Sequence, residues 1–174
     1  VYLKPNTGGT KVTAVRHKTI HVLFVCLGNI CRSPMAEGVF RHLVEQAQLN
    51  GQIKTDSAGT GAWHVGEPPH SGTLKVLHDR SINYIHHSRQ VQRDDFLHFD
   101  YIIAMDSDNF YDLKRMRQGS SAKLHKLLEF APNLGVSDVP DPYYTGRFEE
   151  VYRLVDAACR GLLNHIIQKE GLSS

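Results

Sequence analysis

The stretch His21-Val22-Leu23-Phe24-Val25-Cys26-Leu27-Gly28-Asn29-Ile30-Cys31-Arg32-Ser33-Pro34 decides how the chain is read. Its first five residues are a nearly unbroken apolar run rich in β-formers, the pattern of a strand covered on both faces. A tight segment, Cys26 to Ser33, follows. Pro34 is then expected at the first helical position, where its missing N–H would have no partner anyway. Ala36, Phe40, Leu43, Val44 and Ala47 recur at the spacing of one helical face.

The same alternation continues outward. Ile53–Ser57 reads as a second strand, residues 59–69 as a long Gly/Pro-rich surface loop, and Thr73–His78 as a helix. Tyr101–Met105 is another buried strand, followed by a helix from Ser107 to Arg117 and a weaker strand over Lys123–Leu128. A last helix over Phe148–Lys169 carries Val151, Val155, Ala158, Leu162 and Ile166 on its inner stripe. Strands alternating with helices imply crossover connections, and hence a parallel sheet with helices on both faces, a three-layer α/β sandwich. In such sheets ligands bind beyond the carboxyl ends of the strands, where the winding reverses. The loop after the first strand is the place to look.

Composition agrees with a single domain. The 174 residues are 41% hydrophobic and 22% charged, against disorder and against a spanning helix. Residues 1–20 hold four basic side chains and no acid, so the net charge of +2 becomes −2 over the remainder. No clustered basic face suggests nucleic acid, and no apolar run suggests a membrane. Residues 1–19 read as a flexible N-terminal arm or an artificial extension, and 20–174 as the folded domain. There is no N-x-Ser/Thr site and no secretory segment, and the cysteine count is odd at three. These features point to a reducing, cytoplasmic setting without a disulfide scaffold. His17 and His21 stand four apart, but no Glu or Cys joins them, so no zinc site is expected.

The segment Cys26–Ser33 has the form Cys-x5-Arg-Ser. Five intervening residues, Leu27, Gly28, Asn29, Ile30 and Cys31, let the backbone curl so that successive N–H groups face one centre. Such a concavity at a helix N-terminus binds an anion of phosphate size. Gly28 and Asn29 are expected to supply the positive φ that the curl demands. Arg32 offers a planar fork that matches two phosphate oxygens. A sulfur at the floor of such a cradle is surrounded by groups that favour thiolate over thiol, and Ser33 can donate a hydrogen bond to it. A nucleotide P-loop is excluded, because Gly-x4-Gly-Lys-Ser/Thr is absent.

Val22–Ala36 resembles the signature of the low-molecular-weight protein tyrosine phosphatases. The similarity runs on through Asp56-Ser57-Ala58, Gly66-Glu67-Pro68-Pro69, Ser88-Arg89-Gln90, Asp100–Asp106 and Asp141-Pro142-Tyr143-Tyr144, from Ile20 to about Ile167. It implies a four-stranded parallel sheet and metal-free, cofactor-free hydrolysis of phosphomonoesters through a phosphocysteine. It assigns Cys26 as nucleophile and Asp141 as the acid that protonates the leaving oxygen, then as base towards water. From the residues alone Asp141-Pro142 is a turn signal, with Asp141 held extended by the proline. Asp106 and Asp108, just ahead of a helix, read as N-caps. Trp63, Tyr143 and Tyr144 are expected at the walls of the substrate pocket, where an aromatic ring can stack. The resemblance makes Asn29, Ser57 and His86 a network that supports the loop. Cys31 is either a small hydrophobe under the loop or a partner that joins Cys26 in a reversible disulfide on oxidation; Cys159 is expected to be buried and inert.

The expected substrates are phosphotyrosine proteins and small aryl phosphates, with phosphate and vanadate as inhibitory oxyanions, and the expected state is a monomer or weak homodimer. Two rivals remain at this point. An arsenate reductase on the same scaffold needs further thiols in the second half of the chain, where only Cys159 stands. A silent phosphotyrosine-binding module would need neither nucleophile nor acid.

Overall fold

The computed structural model describes residues 18–174. The expected arm up to residue 17, and with it His17, lies outside the described residues. Four strands, β1 (Ile20–Cys26), β2 (Ile53–Gly59), β3 (Tyr101–Ala104) and β4 (Lys123–Lys126), form one parallel sheet in the order β2-β1-β3-β4. Among the described residues, six helices surround it: α1 (Arg32–Gln46), α2 (Ser71–His78), α3 (Asp95–His98), α4 (Ser107–Met116), α5 (Pro142–Thr145) and α6 (Phe148–Glu170). Two 3-10 turns, Leu127–Phe130 and Pro132–Leu134, link β4 to the last segment.

The apolar run of β1 is buried on both sides because its side chains alternate between two cores. Val22 and Phe24 join the larger cluster, with Met35 and Phe40 of α1 and Val155 and Leu162 of α6. Leu23 and Val25 join the smaller one, with Phe96 of α3 and Leu113 of α4. The inner stripe of α6 is completely covered at Val151, Val155, Ala158, Leu162 and Ile166. Gly161 lets this helix press against the first 3-10 turn, since a Cβ there would lie 1.9 Å from the Phe130 carbonyl oxygen. β4 is the opposite case. As a half-exposed edge strand with lysines at both ends, it is protected against edge-to-edge pairing.

Several sequence expectations shift. α1 begins at Arg32, so Pro34 is its third residue; it is tolerated because the first four N–H groups of a helix have no intrahelical acceptor. β2 runs on to Gly59, α2 starts at Ser71 behind an N-cap at His70, and β4 stops at Lys126, where Leu127 and Leu128 turn into the core as 3-10 helix. Asp106 caps α4, its side chain accepting from the Asn109 N–H at 2.8 Å, whereas Asp108 lies within the first turn and is not a cap.

The chain winds from β1 outward to β2, then crosses to the other side of β1 to make β3 and β4. The reversal opens a crevice between the carboxyl ends of β1 and β3. Cys26 ends one strand and Asp106 follows the other.

Candidate active site

The loop between β1 and α1 is held in a tight curl from beneath. Asn29 has φ of 55°, and its side chain is completely buried. Its Nδ2 donates to Ser33 Oγ at 2.9 Å and Ser57 Oγ at 3.0 Å; its Oδ1 accepts from the Arg89 backbone N–H at 3.0 Å. That backbone donor fixes which end of the amide is oxygen. His86 Nε2, 2.8 Å from the same oxygen, must therefore carry a proton. Burial pulls the His86 pKa below its ordinary value against the attraction of Glu37 and Asp56. Only Asn29, not Gly28, takes positive φ in the loop. A Cβ at Gly28 would sit 3.0 Å from the His64 ring, which would have to give by a few tenths of an ångström. Gly59 is tighter, because a Cβ there would lie 2.7 Å from the Leu27 carbonyl oxygen and 3.2 Å from the Asn29 nitrogen.

Above this support lies Cys26, almost wholly buried. Its Sγ is 3.1 Å from Ser33 Oγ and accepts from the Asn29 N–H at 3.3 Å. Among the described residues, the N–H groups of Leu27, Gly28, Ile30 and Cys31 donate to no protein acceptor. They remain available to an anion seated over the sulfur. Cys31 is buried in the same cleft, and burial, Cys26 and Asp141 together push its thiol up to about 12 against the pull of Arg32.

Arg32 is only 3% exposed and is held by three acceptors. Nη1 donates to Asp106 Oδ2 at 2.6 Å and to the Val139 carbonyl at 3.0 Å, and Nη2 reaches Asp141 Oδ2 at 3.3 Å. Burial alone would pull its pKa down, but the charges of Cys26, Asp106 and Asp141 outweigh it and raise it. Asp141 is the N-cap of α5, with Oδ1 accepting from the Tyr143 N–H at 3.1 Å. The resulting cleft, about 250 Å³, is lined by Cys26, Leu27, Gly28, Ile30, Cys31, Arg32, Trp63, His64, Asp141, Tyr143 and Tyr144.

The structure thus brings the loop, Arg32, Asp141 and the three aromatic residues to one opening, with Ser33, Ser57 and His86 beneath it. Sequence reasoning missed four participants. Asp106 was legible only as a cap, and Val139 acts through its carbonyl, which no side-chain pattern reveals. His64, held by Glu67 Oε2 at 2.8 Å, had no signal beyond its place beside Trp63. Tyr84 donates to the buried Glu37 and contacts Ser57 at 3.3 Å. Glu37, Asp56 and His86 place potential ligand atoms within 4.8 Å of one another. Glu37 is already taken by Tyr84 and Thr55, and Asp56 by Arg89, so the trio serves as support for the loop.

The family model for low molecular weight phosphotyrosine protein phosphatases matches residues 21–172. The chain belongs to this family. The low molecular weight protein-tyrosine-phosphatase YfkJ of Bacillus subtilis is 50% identical over 87% of this chain and 97% of its own length. The phosphatase PtpA of Staphylococcus epidermidis is 47% identical over 88% and 97%. The crystal structure of YfkJ superposes with a TM-score of 0.83 at 48% identity, covering 90% of this chain and 99% of that one. A protein tyrosine phosphatase of Entamoeba histolytica, solved with Hepes in its active site, gives 0.81 at 38% identity over 88% and 99%. As a low-molecular-weight protein tyrosine phosphatase, the protein has the α/β fold that its alternating strands and helices implied and the enzyme class that the resemblance of Val22–Ala36 implied.

Proposed function

We propose that the protein hydrolyses phosphotyrosine and small aryl phosphate monoesters through a phosphocysteine formed on Cys26. One observation carries this reading: the Cys26 sulfur lies under unpartnered loop amides, with Arg32 and Asp141 across the mouth. The phosphoryl oxygens take the free N–H groups and the Arg32 fork, and the Cys26 thiolate attacks phosphorus in line. Ser33 Oγ stabilises the sulfur when it departs again as an anion.

Asp141 is tied to Arg32 at 3.3 Å. An incoming phosphoryl group takes over the guanidinium and releases Oδ2, while Oδ1 keeps the cap on α5. Once released, Asp141 takes up a proton from solvent and delivers it to the leaving phenolate oxygen. In the second step the same carboxylate draws a proton from water as that water attacks the phosphocysteine. Leu27, Ile30, Trp63, Tyr143 and Tyr144 supply the apolar walls for the substrate ring. Phosphate and vanadate fit the same cradle as inhibitory oxyanions, and no step calls for a metal or cofactor.

Cys26→Ser should bind phosphate analogues and turn nothing over. Asp141→Ala should lower kcat by about 10²–10⁴-fold while a phosphoenzyme remains trappable by rapid quench and intact-mass analysis. Full activity in Asp141→Ala would remove it from the proton-transfer role. Vanadate-sensitive turnover of an aryl phosphate would dispose of a silent binding module. Against the reductase alternative stands Cys159, completely buried on α6, its thiol donating to the Ala36 carbonyl at 3.6 Å and its pKa raised well above the ordinary value by burial.

A further inference from the structure

Trp63 is 73% exposed, and its ring lies over Gly61. A Cβ on Gly61 would lie 1.9 Å from the indole Cζ3, so the ring rests on the Gly61 backbone. With Leu27, it forms a ridge bordering two hollows. One is the cleft over Cys26; the other, about 380 Å³, is edged by Thr60, Arg93, Asp112, Arg115 and Met116.

The walls of this second hollow carry two arginines and one aspartate. Arg93, just ahead of α3, is exposed and enters no ion pair among the described residues. Among the described residues Arg115 pairs only with Asp112 on its own helix, and its side chain is 75% exposed. Exposed pairs of this kind are weak and easily exchanged. Two guanidinium groups against one carboxylate leave the hollow with a surplus positive charge and planar donors suited to a carboxylate.

We propose that this hollow is a subsite for peptide substrates, where Arg93, supported by Arg115, binds an acidic side chain close to the phosphotyrosine. The inference rests on the phosphatase reading above. The ridge joins the two hollows directly. An extended peptide advances about 3.3 Å per residue, so a ridge one indole wide is crossed in roughly two or three residues. Trp63 and Leu27 then pack against the peptide between the two anchors, and selection comes from the charge at the far one.

The test compares kcat/KM for three phosphotyrosine peptides, alike except that the flanking positions are neutral, acidic or basic. Wild type should favour the acidic peptide over the neutral one by about three- to fivefold, the range expected of an exposed pair, and should do so through KM. Arg93→Ala should bring that ratio close to one, Arg93→Lys should retain most of it, and Arg93→Glu should favour the basic peptide. A wild-type enzyme indifferent to flanking charge, or an acidic preference that survives Arg93→Ala, would overturn the subsite. Hydrolysis of a small aryl phosphate by the wild-type enzyme reads the phosphatase assignment separately. If that reaction is absent, the proposed function fails; if it is present while the peptide ratio is flat, only the subsite fails.

Discussion

Arg32 is buried with a permanent charge, and it is tolerable there because two carboxylates and a carbonyl surround it. Asp106 is the partner at 2.6 Å, and it also caps α4. Asp106→Asn separates these duties, since asparagine is as good an N-cap as aspartate but carries no charge. The cap on α4 is kept, but the buried guanidinium loses a counter-charge, so the melting temperature should fall by a few degrees. At the same time kcat/KM should fall by about tenfold as the guanidinium loses its fixed orientation. An unchanged kcat/KM would mean that Val139 and Asp141 hold the fork without the Asp106 charge. Cys31 gives a second prediction at this scale. Its pKa near 12 keeps it a thiol at neutral pH, and a thiol attacks an oxidised Cys26 slowly. Mild peroxide should remove two hydrogens from the wild type, faster as pH rises, and should not do so in Cys31→Ser. Intact-mass analysis reads both outcomes.

Among the elements, the anion loop depends on β2 as much as on its own residues. Gly59, the last residue of β2, lies where any Cβ would push into the Leu27 carbonyl and the Asn29 amide. Gly59→Ala should lower kcat by ten- to a hundredfold, about 1.4–2.7 kcal/mol of lost transition-state stabilisation, in an aryl phosphate assay, with far-UV circular dichroism unchanged. Long, periodic elements such as α1 and α6 were legible in the sequence because their apolar spacing spans several turns. So was the buried alternation of β1 and β3 between turn residues. α3 and α5 were not, because four residues carry no period; each is set by what it caps or packs against. The site was legible where a residue type is itself the signal, as with Cys26, Arg32 and Ser33. It was illegible where backbone does the work, at Val139 and Gly59, or where one side chain serves two elements, as Asp106 does.

Across the whole molecule, the sheet is closed at its far end by Glu170, the last residue of α6. Its Oε1 accepts from Tyr101 Oη of β3 and from Lys123 Nζ of β4, both at 2.6 Å. The Lys123 and Tyr101 hydrogen bonds hold its pKa below the ordinary carboxylate value against a small opposing effect of burial. The stabilisation is therefore present above about pH 4.5 and is lost as pH falls through the lower folded-state value. Glu170→Gln should reduce stability by about 0.5–1 kcal/mol at neutral pH, the worth of a half-exposed pair. In urea unfolding at successively lower pH, its difference from wild type should shrink; a constant difference would mean that charge plays no part.

Asp141 and Tyr143 meet through one hydrogen bond at the start of the short helix α5, and the same turn carries Tyr144. In the proposed mechanism, the wall that grips the substrate ring and the group that hands over the proton are therefore parts of one turn. Whatever loosens the grip will also delay bond cleavage, so changes at these tyrosines will surface in turnover as readily as in affinity.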